Sequence, residues 1–409
     1  MRTRALVATS GILVLPLLAV AIASCAESSA AAGDPPEGTI TVPEAGSLDA
    51  VADSPADAAC SADDGGCTTR ELTCDEADFC AVPTGVDDRY ALLGVWGSSA
   101  EDVWAVGSAG TIVHWDGVAW SKLSLDRKDT LLGVWASSAS DVWIVSSLNV
   151  ILHGHGFVSG TATFAEMPPI DPDDPTNWRG AILTSVWGAG PNDVFVGGPA
   201  AFTQPRNSMW RHVPEADGAP SPAPYAWEGA STFCKGSRCV DVNAIWGTSP
   251  NDLWIVANSG TVLRSKGAVG DGGGSEQWTT ITTTLTTADL HGIWGSSASD
   301  VWIVGDGGTI RHWSNDGTQR WELVASPTKE NLRAVWGTGP NDAWAVGDSG
   351  TILHWDGKTW SIASTTLPLG PKRRLYGVWG SGPNDVWVVG EAVALHFTGK
   401  KPTAQGENR

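Results

Sequence analysis

The stretch Val335–Trp360 reads VWGTGPNDAWAVGDSGTILHWDGKTW, and close variants of it return along the chain. It breaks into short apolar runs separated by turn chemistry. Leu332–Trp336 is the first run, and Gly337-Thr338-Gly339-Pro340-Asn341-Asp342 is dense in residues that favour turns. Ala343–Val346 is the second, closed by Gly347-Asp348-Ser349-Gly350, and Thr351–Trp355 is the third. Asp356-Gly357 is a hairpin signal before a fourth run that starts near Trp360. Four antiparallel strands of about five residues make one propeller blade.

Aligning the copies on the Trp of the first run gives Trp96, Trp135, Trp187, Trp246, Trp294, Trp336 and Trp379, with spacings of 39, 52, 59, 48, 42 and 43 residues. Periods of this size mark an array of repeated supersecondary units. Both faces of the strands are apolar, which a sheet standing alone in water does not tolerate. Blades stacked around an axis bury both. The residue two before each anchor Trp is Gly94, Gly133, Ser185, Ala244, Gly292, Ala334 or Gly377. These are small, as strands converging on an axis require. The expectation is an all-β, seven-bladed propeller of four-stranded antiparallel blades. The seventh copy stops at Phe397 without a fourth run, while Phe79-Cys80-Ala81-Val82 resembles Trp321-Glu322-Leu323-Val324 of the fifth. That segment is expected to supply the missing outer strand and remove an open sheet edge.

The rest of the composition bounds the partners. The chain has 409 residues with 25 Lys+Arg against 45 Asp+Glu, a net charge of −20, so its field repels a phosphate backbone and no nucleic acid is expected. Twenty-three Trp against 3 Tyr means that packing positions have been copied many times.

The first residues, MRTRALVATSGILVLPLLAVAIASC, combine Arg2 and Arg4 with an apolar core and small residues before Cys25, the pattern of an export signal. Ile22-Ala23-Ser24-Cys25 resembles the lipobox of bacterial lipoproteins, which implies cleavage before Cys25 and lipid attachment to its sulfur. Ala26 stands where an inner-membrane retention signal would often have Asp, so the resemblance points to an outer-membrane anchor in the cell envelope. From Ala26 to Arg89 there are 15 acids against two Arg, a net −13 with few large apolar residues. Such a segment reads as a self-repelling tether. The expected layout is a signal peptide at 1–24, an acidic tether at 25–77, the propeller at 78–399 and a tail at 400–409.

Seven Cys become six once Cys25 is lipidated. Cys60, Cys67, Cys74 and Cys80 form one cluster, and Cys234 with Cys239 a second. No CxxC pair is present and an exported chain meets an oxidising compartment, so disulfides are expected rather than zinc. The first four Cys admit three pairings, all of which remain open.

Every copy carries an Asp before its second run, Asp102, Asp141, Asp193, Asp252, Asp300, Asp342 and Asp385. Seven carboxylates could suggest a metal ring, but each follows turn residues and is expected to accept bonds from nearby backbone N–H groups. His114, His153, His312, His354 and His396 share one place in the third run, with Arg264 in the fourth copy. Equivalent positions on separate blades cannot converge on one ion, so these read as structural. No metal or other cofactor is expected. The position three before the anchor Trp does vary: Leu93, Leu132, Thr184, Asn243, His291, Arg333 and Tyr376. Variation on a repeated scaffold is where a site would be placed, so Asn243, His291, Arg333 and Tyr376 are the candidate binding residues. Two insertions, Met167 to Arg179 and Arg206 to Cys239, are long enough to be functional, with Tyr225 and Trp227 expected at an exposed tip.

Gly350-Thr351-Ile352-Leu353-His354-Trp355-Asp356-Gly357-Lys358-Thr359-Trp360 resembles the strand-turn-strand unit of Asp-box (BNR-type) propellers. It is most similar to photosystem II stability/assembly-factor-like repeats. The Asp-Gly…Trp pattern recurs at Asp116-Gly117…Trp120 and Asp316-Gly317…Trp321. Sialidases share Asp-boxes and imply an arginine triad and a Tyr nucleophile. Here none of Tyr90, Tyr225 and Tyr376 sits in a recognisable arginine set, so no catalytic residue is assigned. Fold analogy alone does not give function. The reading is a monomeric, membrane-anchored binding or scaffolding module for an envelope protein or polysaccharide. A sialidase-like glycoside hydrolase and a carbohydrate-binding lectin are the alternatives.

Overall fold

In a computed structural model, the described residues are 70–123, 125–167, 182–200, 207–212, 227–230, 233–234, 239–267, 278–314, 320–368 and 372–399. The leader, Cys25, Cys60, Cys67, Tyr225, the tail and most of both insertions lie outside them. Seven separate four-stranded antiparallel sheets form the seven blades. In blade 6 the strands are Leu332–Gly339, Asp342–Gly347, Ile352–Trp355 and Trp360–Ile362, in sequence order from the axis outward. The innermost strands of blades 1 to 5 begin at Leu92, Leu131, Ser185, Ala244 and Leu290.

Blade 7 closes as the sequence predicts. Its own three strands are Leu375–Gly382, Asp385–Gly390 and Val393–Phe397, and Cys80–Ala81 pairs antiparallel on the outside, with Cys80 opposite His396. Phe79 is fully buried and meets Trp344 edge-on at 5.2 Å between ring centroids. The strand is clasped from its other side too. The Asp78 carboxylate accepts the Ser364 N–H (2.8 Å) and hydroxyl (2.7 Å), and Ala81 N–H donates to Thr366 Oγ1 at 2.8 Å. Among the described cysteines, Cys74–Cys80 and Cys234–Cys239 form disulfides.

Two aromatic contacts recur at the seams, the outer one at all but the seam between blades 3 and 4, where Trp278 meets Phe233. Near the axis, an anchor Trp lies over the small residue that follows the next blade's anchor. A Cβ on Gly380 would come within 2.8 Å of Trp336, and one on Gly97 within 2.6 Å of Trp379. Gly188, Gly295 and Gly337 stand in the same relation to Trp135, Trp246 and Trp294. Blade 2 has Ala136 there, and Trp96 Nε1–H donates to its carbonyl at 3.1 Å. Further out, the aromatic residue of an outer strand packs edge-on against the second-strand Trp of the preceding blade. Trp360 meets Trp302 at 5.3 Å, Trp321 meets Trp254 at 5.8 Å, and Trp120 meets Trp387 at 5.0 Å. Such pairs add to the area that large aromatics bury.

This corrects one expectation. Trp227 is not exposed at a loop tip but 5% accessible, because it starts the outer strand of blade 3 and packs on Trp143 at 5.9 Å.

Two outcomes test this packing. Gly337→Val places atoms where Asp342 O and Trp294 already stand, and overpacking should lower unfolding free energy by ~1–3 kcal/mol in a urea titration. Gly339→Ala, with nothing within 4 Å, should leave it unchanged. Phe79→Ala empties a fully buried site and should cost ~3–5 kcal/mol, read as a lower thermal midpoint.

Candidate functional site

Each strand order fixes two ends of the disc. Innermost strands start at one end, and the turns between second and third strands return to it. The turns carrying the repeated Asp lie at the other end.

At that Asp-bearing end the seven carboxylates do not form a ring site. Each pairs with a side chain on the third strand of its own blade, such as His354 Nε2 at 2.7 Å from Asp342 and His396 Nε2 at 2.6 Å from Asp385. Arg264 takes the place in blade 4 and Arg211, not anticipated from sequence, in blade 3 at 2.9 Å from Asp193. The second carboxylate oxygen accepts a hydroxyl four residues earlier in six blades, as from Ser98 at 2.6 Å and Thr338 at 2.5 Å. In blades 2, 5, 6 and 7 the imidazole lies flat on the second-strand Trp, 4.0 Å for His354 on Trp344 and 3.9 Å for His396 on Trp387, whereas in blade 1 His114 is tilted to Trp104 and stacks on Phe157. The structural role holds for both residue types. The main partners of the Asp are the His and the hydroxyl, however, rather than backbone N–H groups. A constant separation of twelve residues in blades 1, 2, 4, 5 and 6 was the signal that pairs them. Among the described residues no group of three or more His, Cys, Asp or Glu is placed to hold a metal ion.

The opposite end is different. Leu93, Leu132, Thr184, Asn243, His291, Arg333 and Tyr376 all line one cavity of about 240 Å³ on the axis. The backbone explains how. In blades 1, 2, 5, 6 and 7 the ladder slips at this residue, between Leu332 and Ala334 in blade 6 for example. A β-bulge leaves one residue unpaired and re-aims its side chain, so the variable position points into the channel mouth. In blades 3 and 4 the ladder begins one residue later, at Ser185 and Ala244. Beneath the ring the wall is Gly94, Gly133, Gly292 and Gly377 with Val95, Val134, Ile293 and Val378.

Blades 1 and 2 make the mouth aliphatic, and blades 4 to 7 make it polar. Each polar member is braced from the turn after its second strand, fifteen residues on. Asn243 Nδ2 donates to Asn258 Oδ1 and to the Leu290 carbonyl, both at 2.8 Å. His291 Nε2 is 2.7 Å from Asp306 Oδ1. Arg333 forks onto Asp348 through Nε (3.0 Å) and Nη2 (2.6 Å), and its Nη1 lies 3.3 Å from His291 Nε2. Tyr376 hydroxyl donates to Glu391 at 3.3 Å. Hydrogen bonds donated to Asp348 raise the Arg333 pKa above its usual value. Burial, then the Glu391 charge, pushes the Tyr376 phenol up, so both keep their protons at neutral pH.

No protein-family model matches the sequence, and no curated relative matches it. Solved structures do. A YCF48 bound to D1 peptide superposes with a TM-score of 0.58 at 16% identity, covering 82% of this chain and all of the other. YCF48 from Cyanidioschyzon merolae gives 0.55 at 17% identity, with 78% of this chain and 98% of that one. The WD40 propeller of Doa1 gives 0.53 at 11% identity over 81% and 98%. At these identities the likeness is one of fold.

The Asp–His pairs imply a pH dependence. Burial raises the carboxyl pKa of Asp102, Asp141, Asp300, Asp342 and Asp385, but the hydrogen bonds from His and hydroxyl outweigh it, and all five are net lowered. A folded pKa below the unfolded one contributes stability that is complete above about pH 4 and is lost as pH falls through the depressed values. The urea midpoint should therefore drop below about pH 4, and Asp342→Asn should flatten that acid limb. A midpoint constant down to about pH 3, below the ordinary carboxylate range, would count against the pairing.

Proposed function

We propose that the chain is an exported lipoprotein whose propeller docks a protein partner of the cell envelope at the channel mouth. The observation that carries this is the bulged ring. It is the position where chemistry changes from blade to blade on an otherwise uniform scaffold, and all seven of its side chains line one cavity. Their braces fix the polar four in place, the preorganisation that a binding site uses. A YCF48 solved with a peptide supports the idea that a propeller of this shape accommodates a polypeptide.

Among the described residues, nothing specifically favours the hydrolase reading. The repeated carboxylates are occupied inside their own blades, and at the mouth Asp306, Asp348 and Glu391 are spent bracing His291, Arg333 and Tyr376. The anchor comes from the leader sequence. The closing strand Cys80–Ala81 sits at the outer edge of blade 7, away from the axis.

Two measurements test the two halves. Metabolic labelling with an alkyne fatty acid should mark the wild-type chain and not Cys25→Ser; equal labelling would remove the anchor. Cross-linked pull-down from envelope extract should recover a protein with wild type and lose it with Arg333→Ala/Tyr376→Ala. A partner retained by that variant would move the site elsewhere.

A further inference from the structure

Resting on the mouth as a docking site, we infer that it accepts the tip of a partner protein's loop carrying an uncharged amide, an Asn or Gln side chain, beside an aliphatic residue. Size comes first. A cavity of about 240 Å³ lies below the ~300–1,000 Å³ of pockets that enclose a drug-sized ligand, so what enters is one or two side chains of something larger. The surface around the opening fits a protein. Leu148, in the turn after the second strand of blade 2, and Ile182, just before the innermost strand of blade 3, are 58% and 46% accessible at this same end. They continue outward the aliphatic side that Leu93 and Leu132 begin.

The hydrogen-bonding inventory selects the head group. A guanidinium has five N–H donors. Asp348 takes two from Arg333, and at most one reaches His291, which leaves two without an acceptor among the described residues. Indeed, if His291 Nε2 donates to Asp306 at 2.7 Å it cannot also accept from Arg333. Asn243 is the converse case. Both its amide protons are used, on Asn258 and Leu290, and its Oδ1 is an acceptor with no donor among the described residues. The mouth thus offers idle donors and an idle acceptor around one cavity.

Charge excludes the simpler occupants. A carboxylate on Arg333 would stand among Asp306, Asp348 and Glu391, three acids against Arg333 and the neighbouring Arg374. A lysine ammonium would meet the Arg333 guanidinium. An amide supplies a carbonyl for Arg333 and an N–H for Asn243 Oδ1 with no charge to desolvate. Its aliphatic neighbour lies on Leu93 and Leu132. A site built to satisfy such a group discriminates strongly against analogues that leave its polar atoms unpaired.

Three near-isosteric probes test the head group directly. 3-Methylbutanamide, 3-methylbutanoate and 3-methylbutylamine share one aliphatic end and differ in being amide, acid and amine. Each is titrated against the full chain by ligand-observed NMR. The amide should bind about tenfold or more tighter than the other two, and Arg333→Ala or Asn243→Ala should erase that preference. Leu132→Ser should weaken all three, since it removes the shared aliphatic contact. Acid or amine binding as tightly as the amide, with the same sensitivity to Arg333→Ala, overturns the amide inference while keeping the mouth as a site. Binding of no probe, or binding indifferent to all three variants, overturns the mouth itself. A Leu-Gln loop peptide and chitotriose then separate the sources of an amide. Competition by the peptide supports the protein loop, and competition by chitotriose alone overturns it in favour of an acetamido sugar.

Discussion

A sheet that is apolar on both faces has to be covered on both, and nearly everything in this molecule follows from that. Blades 1 to 7 each present such a sheet, and only a closed ring gives all of them two neighbours. The seams are therefore where the folding energy lies. Their Trp side chains bury on the order of 150–250 Å² each. The inner contact of Trp on Gly and the outer edge-on aromatic pair recur from seam to seam. Closure is the step that makes this possible. Cys80–Ala81 is only two residues long, yet it carries Phe79 into the seam with blade 6 and is held on its other side by Ser364 and Thr366.

Inside blades 1, 2 and 4 to 7 the Asp, the His or Arg and the second-strand Trp act as one unit. The carboxylate orients the imidazole, and the imidazole covers the indole face. In blade 4 the guanidinium of Arg264 does the same, 4.5 Å above Trp254 while bonded to Asp252. Arginine is a fair substitute because it too is planar and stacks on aromatic rings. The arrangement places polar groups beneath a turn without leaving the carboxylate unpaired, and burying an unpaired one would be far more costly.

Most of the fold was legible because it was written several times. Seven anchor Trp, the small residue two before each and the Phe79 match to Trp321 give blade number and closure without coordinates. Where the repeat is interrupted, legibility ends. Arg211 and Trp227 belong to blade 3, but the long insertions around them hid their register, and Trp227 was placed outside when it lies inside. The Asp–His pairing was missed for another reason. It joins turn and third strand across the sheet, and only strand register brings residues twelve apart into contact. The bulge at Leu93 and its equivalents has no sequence mark of its own, so the convergence of the mouth residues could be expected only from their variability.

The same regularity explains why residue identity varies where it does. A position that packs in a seam is bound to its neighbours, and changing it costs stability in two blades at once. This residue is bulged out of the ladder in blades 1, 2, 5, 6 and 7 and lies just before it in blades 3 and 4, and in all seven its side chain lines the axial cavity rather than a seam. That freedom is used unevenly. Leucine stands there in blades 1 and 2, while Asn243, His291, Arg333 and Tyr376 each come with a matched brace at the position fifteen residues later, Asn258, Asp306, Asp348 and Glu391. Loop residues under no constraint would vary singly. Two positions that vary together, one bracing the other, instead hold four polar side chains still at the edge of a small cavity.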